Sequence, residues 1–164
     1  MVTLRPYKDT DFEAYSETLL KTWPYDKIED ARESVAGAVK KLGGAKKEEI
    51  WVAEFEGEAA GFILLEFTRV WGSGENESFE KEAAGIDWFD VNPKFQRKGI
   101  GKELLRKAEE RGREMGLGIL FMHTATKNLP MINFASTSGF KFEKYLTEFW
   151  GKGTKDAFLL AKAL

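Results

Sequence analysis

Residues 91–105, VNPKFQRKGIGKELL, combine cationic side chains with glycine where a strand passes into a helix. Gly99 and Gly101 let the backbone approach a ligand closely. The first N–H groups of a helix lack intrahelical partners and attract anions. The pattern therefore predicts an anion site on the amides of this turn. Three cations beside it are predicted to assist: Arg97, Lys98 and Lys102.

The basic character extends along the following helix, although the chain as a whole has a net charge of -2. Residues 94–113 carry eight basic and three acidic side chains, which favours a polyanionic partner. Such runs usually solvate an exposed helix face, and we interpret the cations from Arg106 onward in this way. A nucleic acid is not the predicted partner, because the isoelectric point is about 5.7 and no basic surface interleaved with aromatics is visible.

Two common phosphate-binding turns are excluded by spacing. A Walker-type loop needs four residues between its first glycine and the Gly-Lys pair, followed by a hydroxyl, whereas here Glu103 follows Lys102. A dinucleotide fingerprint needs a third glycine where Leu104 stands. That fingerprint also follows the first strand of a parallel sheet, whereas two helices and a hairpin are predicted before this turn. Neither a nucleoside triphosphate nor a dinucleotide is therefore predicted.

Two aspartates lie in the strand predicted just before the turn. Strict alternation places Asp87, Phe89 and Val91 on one face, and Trp88 and Asp90 on the other. A carboxylate in a largely covered sheet is unfavourable unless it is paired or lies in a cleft. Each aspartate is therefore a candidate proton acceptor, and pairing with a surface lysine is the structural alternative.

The remaining candidates for acid–base or metal chemistry are few. Glu82, at the entrance of the same strand, is a third candidate base. His123 is the only histidine and lies on an apolar strand, where a hydrogen-bonded core side chain is commoner than a catalyst. There is no cysteine, so disulfides, thiolate zinc sites and a cysteine nucleophile are excluded. No metal site is predicted.

Four segments in order resemble one family. QRKGIG, residues 96–101, resembles the Q/R-x-x-G-x-G/A signature of the GNAT (GCN5-related N-acetyltransferase) superfamily, in which this turn cradles the coenzyme A pyrophosphate. IDWFDVNP resembles its fourth strand, NLPMINFASTSGF resembles its N-x-x-x-I-N-F-Y-x-x-x-G-F segment, and DAFLLAKAL resembles its last strand. The resemblance spans nearly the whole chain.

The resemblance implies an acetyl-CoA-dependent N-acetyltransferase that acts on a primary amine of a small molecule or a peptide. It implies that the thioester carbonyl meets a main-chain N–H of Val91 or its neighbour. Asp87 stands where related enzymes often carry glutamate, so it is the leading catalytic candidate, followed by Asp90. The implied cofactor contacts are Phe89, Val91, Gln96, Arg97, Lys98, Gly99, Ile100, Gly101, Lys102, Asn128 and Asn133.

For several of these residues a structural role is an open alternative. Asn128 matches the family asparagine that contacts the cofactor arm, and the alternative is that it only forms a turn. Asn133 either contacts the cofactor as well or caps a short helix. Trp23 and Tyr25 lie in the region that usually lines the acceptor pocket in this family, and they are candidates for substrate binding. Aromatic side chains at these positions are equally expected to be part of a core. Asp87 is the third candidate for substrate binding.

One position departs from the family pattern. Ala135 stands where the family often has a tyrosine that protonates the departing sulfur. A thiol titrates near ~8.5 and leaves with little help, so activity does not require the tyrosine. Ala135→Tyr is expected to preserve or raise activity if the site has room. The alternative function is an acyl-CoA-binding module that has lost catalysis.

The elements predicted to position these residues alternate between helix and strand. Two helices, residues 11–22 and 28–42, are expected before the sheet, then a hairpin and the strand–helix–strand order of a parallel crossover. A short helix, residues 130–138, and an antiparallel pair follow. The resemblance implies an α/β (α+β) fold with a mixed, twisted sheet of about six to seven strands, flanked by about four helices, with strands four and five parallel and splayed.

Composition favours one soluble domain, residues 1–164, because 43% of the residues are apolar and 32% are charged. The first residues lack the apolar stretch of a signal peptide, so we expect a cytoplasmic protein without membrane contact. A homodimer is left open. One predicted loop is acidic, with Glu75, Glu77, Glu80 and Glu82. These carboxylates either attract a cationic acceptor or are only solvated.

Overall fold

In a computed structural model, which describes residues 1–70 and 82–164, seven strands form one mixed sheet. The strands are β1 (Val2–Pro6), β2 (Glu49–Phe55), β3 (Glu58–Val70), β4 (Glu82–Val91), β5 (Ile119–Ala125), β6 (Lys141–Leu146) and β7 (Ala157–Ala163). The helices are α1 (Phe12–Thr22), α2 (Ile28–Val39), α3 (Ile100–Glu114) and α4 (Leu129–Thr137). The predicted fold class is confirmed.

The strand order is β1-β2-β3-β4-β5-β7-β6. Every neighbouring pair is antiparallel except β4 and β5, which are parallel and joined through α3. The expected crossover is confirmed, and residues 92–99 connect the carboxyl end of β4 to the amino end of α3. This is the geometry in which a helix terminus meets a ligand at the edge of a sheet.

The expected order at the amino end was wrong. β1 pairs with β2 from Val2 opposite Phe55 to Pro6 opposite Trp51, so α1 and α2 are inserted between two strands and do not precede the sheet. The sequence carries a weak signal for β1, because Val2 and Leu4 alternate with polar residues. Five residues are too few to distinguish this alternation from an irregular terminus.

The helices cover both faces of the sheet. Tyr15 of α1 and Val35 of α2 pack in one buried cluster with Phe62 of β3. Leu104 of α3 packs in another with Ile63 of β3, because successive side chains of a strand point to opposite faces. The end of β4 therefore lies between two helical layers, and its side chains reach both.

The acidic loop predicted to attract a cationic acceptor falls on residues 71–81, outside the described residues. Glu82 begins β4, but its side chain, a candidate base, is likewise outside the description. Within residues 1–70 and 82–164, no helix is long and apolar enough to cross a membrane. In the same part of the chain, no group of three potential ligands is placed to hold a metal ion.

Candidate active site

A gap opens between β4 and β5. The two strands pair only from Ala84 opposite Leu120 to Ile86 opposite Met122, after which β5 continues to pair with β7. Within residues 1–70 and 82–164, residues 87–91 of β4 therefore have no strand partner on this side. An extended chain with amide groups can pair with such an unpartnered edge.

A β-bulge lies at the point where the gap begins. On β3, Leu65 is opposite Ile86 and Leu64 is opposite Trp88, so Asp87 is an extra residue without an opposite partner. A bulge bends its strand and redirects the side chains that follow it. The bulge and the separation of β4 from β5 thus coincide at Asp87.

Because of the bulge, Asp87 does not lie on the face of the sheet that was predicted for it. Phe89 and Val91 pack towards α3, and Trp88 packs towards α1 and α2, as alternation predicts. Asp87 is not on the face of Phe89 and Val91, because it lines a cavity together with Trp88 on the α2 side of the sheet. The extra residue shifts the alternation by one position. Asp87 is exposed to solvent.

Backbone groups of β4 point into the gap. The N–H of Asn92 donates to the carbonyl of Ala60 on β3 at 2.9 Å. Because successive N–H groups of a strand alternate in direction, those of Phe89 and Val91 point away from β3 and into the gap. The side chain of Gln96 donates to the carbonyl oxygen of Val91 at 3.2 Å and so ties the following turn to this edge.

The glycine turn presents free amides beside the gap. Gly99 precedes α3 with a φ of 84°, and no side chain caps this helix end. Arg97 also has a left-handed φ, of 66°, a strained conformation that often marks ligand sites. The N–H of Glu103 is bonded to the carbonyl of Gly99 at 3.2 Å, which leaves the amides of residues 100–102 available for an anion.

The cations of this region divide into two groups. Those from Arg106 onward form ion pairs, including Arg106 with Glu103 at 3.0 Å and Arg111 with Glu49 at 2.7 Å. Arg106 and Arg113 are exposed, as a solvated helix face predicts, whereas Lys107 and Arg111 are half-buried, so the interpretation holds for only part of this group. Among the described residues, three cations beside the glycines have no ion-pair partner: Arg97, Lys98 and Lys102.

α4 closes the other side of the turn. Phe134 contacts Phe89, with ring centroids 5.4 Å apart. Asn128 is the N-cap, and its side-chain oxygen accepts from the N–H of Met131 at 3.3 Å. Asn133 lies within the helix, so the alternative that it caps this helix was wrong. Both asparagines are exposed, and a role for either in cofactor binding stays a prediction.

Asp90 lies in a buried polar cluster on the α1 side. It is 3% exposed, and its Oδ1 accepts from Trp23 Nε1 at 2.8 Å and lies 2.9 Å from the hydroxyl of Thr22. Its Oδ2 and the hydroxyl of Tyr15 are buried without partners in the described part of the chain. Burial raises the pKa of Asp90 to about 6, although the bonds from Thr22 and Trp23 lower it.

Sequence reasoning missed Tyr15 and Thr22 in this cluster. The two residues are seven positions apart, which places them on one face of α1, and Thr22 directly precedes Trp23. That spacing was the available signal. Burial, and then the charges of Asp90 and Asp87, raise the pKa of Tyr15 well above its usual range.

We expect Asp90 to make stability fall as the pH rises from about 4 to about 6. Its pKa is about 6 in the folded protein against an ordinary 3.8, so the folded state binds more protons than the unfolded state between these values. The shift corresponds to roughly 3 kcal/mol. Urea unfolding of the wild type and Asp90→Asn at pH 4 and pH 7 measures it. A stability difference that is equal at both pH values contradicts the assignment.

The other aromatic and histidine candidates lie around this cluster or away from it. Trp23 lies near Trp88, with ring centroids 6.5 Å apart, and the hydroxyl of Tyr25 donates to Ser34 at 2.9 Å. These contacts place Trp23 beside β4 and Tyr25 against α2. His123 stacks on Phe149 at 4.1 Å, as expected of a structural side chain.

The expectation for Ala135→Tyr depended on space at that position. Ala135 is 0% exposed and belongs to the core on the α3 side. A tyrosine ring at this position overpacks the core, and we expect the substitution to lower the free energy of unfolding by about 1–3 kcal/mol. Thermal unfolding measures the loss, with Ser136→Tyr, exposed on the same helix, as the control. Equal melting temperatures of the two variants contradict this expectation.

Comparison with known proteins identifies the family and the fold of this chain. The family model described as "Acetyltransferase (GNAT) family" matches residues 9–140. An uncharacterised N-acetyltransferase in the pepI 3' region of Lactobacillus delbrueckii subsp. lactis is 30% identical over 110 residues, which cover 66% of this chain. The match spans only 61% of that relative's length.

Two solved structures share the fold over 99% of this chain. Ard1 from Thermoplasma volcanium has a TM-score of 0.77 at 17% identity, with 97% of its chain covered. A GNAT family acetyltransferase from Elizabethkingia anophelis, solved with acetyl-CoA bound, has a TM-score of 0.71 at 20% identity, with 98% of its chain covered. Because the family model matches most of the sequence, this chain belongs to the acetyltransferase (GNAT) family.

Proposed function

We propose that this protein transfers the acetyl group of acetyl-CoA to a primary amine by direct attack of the amine on the thioester. The observation that carries the proposal is that three features meet at the carboxyl end of β4, inside the sheet. The bulge and the gap between β4 and β5 both begin at Asp87. The free amides of the α3 terminus come next along the chain. The acetyl-CoA in the Elizabethkingia anophelis relative supports the choice of donor.

The residues present fit the donor. The amides of residues 100–102 would hold the pyrophosphate, and Arg97, Lys98 and Lys102 would neutralise phosphate charge. The gap-facing backbone of Phe89 and Val91 would pair with the amides of the cofactor arm. Acetyl-CoA supplies the activated acyl group, and the protein supplies position and charge.

The spacing along β4 supports one choice of oxyanion donor. At ~3.3 Å per residue, Val91 lies ~13 Å from Asp87 along the strand, whereas Phe89 lies ~7 Å away. We therefore assign the donor for the thioester oxygen to the N–H of Phe89, the neighbouring gap-facing group, and leave Val91 to the cofactor arm. A preorganised N–H at this point stabilises charge as it develops on the carbonyl oxygen.

Asp87 is the residue that would accept the proton of the acceptor ammonium, directly or through a water molecule. It is exposed at the bulge, whereas Asp90 is buried and already holds Thr22 and Trp23. Asp90 would act as a positioning residue for Trp23 at the acceptor side. Ala135 offers no hydroxyl to the departing sulfur, which would leave as thiolate or take a proton from water.

Incubation with acetyl-CoA and a panel of primary amines and peptide termini tests the proposal. We expect release of free coenzyme A thiol that depends on at least one amine. Ala135 favours a second candidate, an acyl-CoA-binding module without catalysis. Tight coenzyme binding in calorimetry, with no amine-dependent thiol release across the panel, would establish that second function.

A further inference from the structure

The α2 side of the bulge contains an acidic cavity, defined here by its three carboxylates Glu48, Glu66 and Asp87. Its volume is about 160 Å³, and Ala38 of α2 and Trp88 of β4 are among its walls. One cation, Lys41, also lines it and is exposed. The cavity is therefore enriched in negative charge, and it adjoins the residue assigned above as the proton acceptor.

Glu48 gives the cavity an unsatisfied acceptor. This residue is 6% exposed, and its Oε2 is buried without a hydrogen-bond partner in the described part of the chain. An ionised carboxylate in such a position is unfavourable unless a cation or donor reaches it. Lys46 lies 3.6 Å from Glu66, but its own side chain is largely exposed. Neither Lys41 nor Lys46 supplies Glu48 Oε2 with a hydrogen-bond partner.

We propose that the acidic cavity binds the second ammonium group of an alkyl diamine acceptor, an inference that rests on the proposed acetyl transfer. Asp87 faces the cavity and stands where the β4–β5 gap begins. A diamine can therefore place one amino group at the gap and the other beside Glu48. A charge-assisted bond to the second ammonium completes the coordination of the buried carboxylate.

The size of the cavity limits the acceptor. The cavity, with a volume of about 160 Å³, has room for several water molecules. An ammonium group with a short methylene chain fits this volume, and a folded peptide segment does not. Leu64 and Trp88 provide apolar walls for the methylenes.

Competition between matched amines tests the proposal. We expect kcat/KM for 1,4-diaminobutane to exceed that for n-butylamine by about 10- to 100-fold, the range of a hydrogen bond to a charged group. Glu48→Gln removes the charge with little change in shape and should abolish most of this preference. The control Glu33→Gln removes an exposed charge from α2 outside the cavity and should leave the preference intact.

The outcomes separate this inference from the proposed function. Turnover with equal kcat/KM for the two amines, or a preference that survives Glu48→Gln, overturns the diamine site while leaving acetyl transfer in place. Calorimetric titration of the coenzyme A-bound protein with 1,4-diaminobutane gives a readout that needs no turnover. Binding that Glu48→Gln weakens supports the site even if no amine is acetylated, and absence of binding overturns it.

Discussion

Asp87→Asn is expected to lower kcat by about 10²–10⁴-fold, the usual contribution of one positioned acid–base group. The side chain is exposed at the bulge, so the substitution keeps the shape of β4 and should leave the affinity for acetyl-CoA unchanged. The physical reason is that asparagine cannot accept the ammonium proton. Binding and rate should therefore separate in this variant.

The pH–rate profile of the wild type and Asp87→Asn with one confirmed monoamine provides the measurement. A monoamine is chosen because Asp87 also lines the acidic cavity. Asp30→Asn, which removes an exposed carboxylate from the first turn of α2, is the control and should retain wild-type rates. Full turnover of Asp87→Asn across the profile would show that Asp87 has a structural role. Asp90, Glu82 and His123 would then be the remaining candidates for the general base.

Gly99→Asp is expected to weaken coenzyme A binding by more than about 100-fold, since like-charge juxtaposition costs several kcal/mol. The new carboxylate would stand beside the amides assigned to the pyrophosphate. The backbone at Gly99 has a φ of 84°, which disfavours an L side chain, although a Cβ there meets no atom within 4 Å. The loss should therefore come from charge and backbone conformation, and not from a steric clash.

Two matched variants separate these causes in calorimetry. Gly99→Asn has the same size without the charge, and asparagine tolerates left-handed backbone, so it should bind more tightly than Gly99→Asp. Gly116→Asp introduces the same residue beyond the other end of α3, where φ is 72° and space is also open. It should bind coenzyme A like the wild type. Equal affinities of all three variants would remove the pyrophosphate from this turn.

The parts of the site that are continuous in sequence could be predicted. The glycine turn, the basic residues and the strand before them lie within residues 84–102, and local pattern dictates their conformation. The bulge could not be predicted, because it depends on the register between β4 and β3. A strand read alone gives strict alternation, and so Asp87 was assigned to the wrong face.

The buried groups required the tertiary structure. Asp90 receives its partners from the end of α1, 67 and 68 positions away. The acidic cavity combines residues of α2, β3 and β4 with Glu48, which directly precedes β2, and nothing in the sequence near Glu48 indicates its burial. Contacts between distant segments decide which carboxylates are desolvated, and this determines their chemistry.

The fate of a labelled acetyl group tests the central claim most directly. With [¹³C]acetyl-CoA and an amine accepted in the panel, mass spectrometry of the products should show the N-acetylated amine and free coenzyme A in equal amounts. Gly99→Asp at the same concentrations should form little of either. Label that remains in acetyl-CoA, or that appears as free acetate with no acetylated amine, would contradict acetyl transfer to an amine.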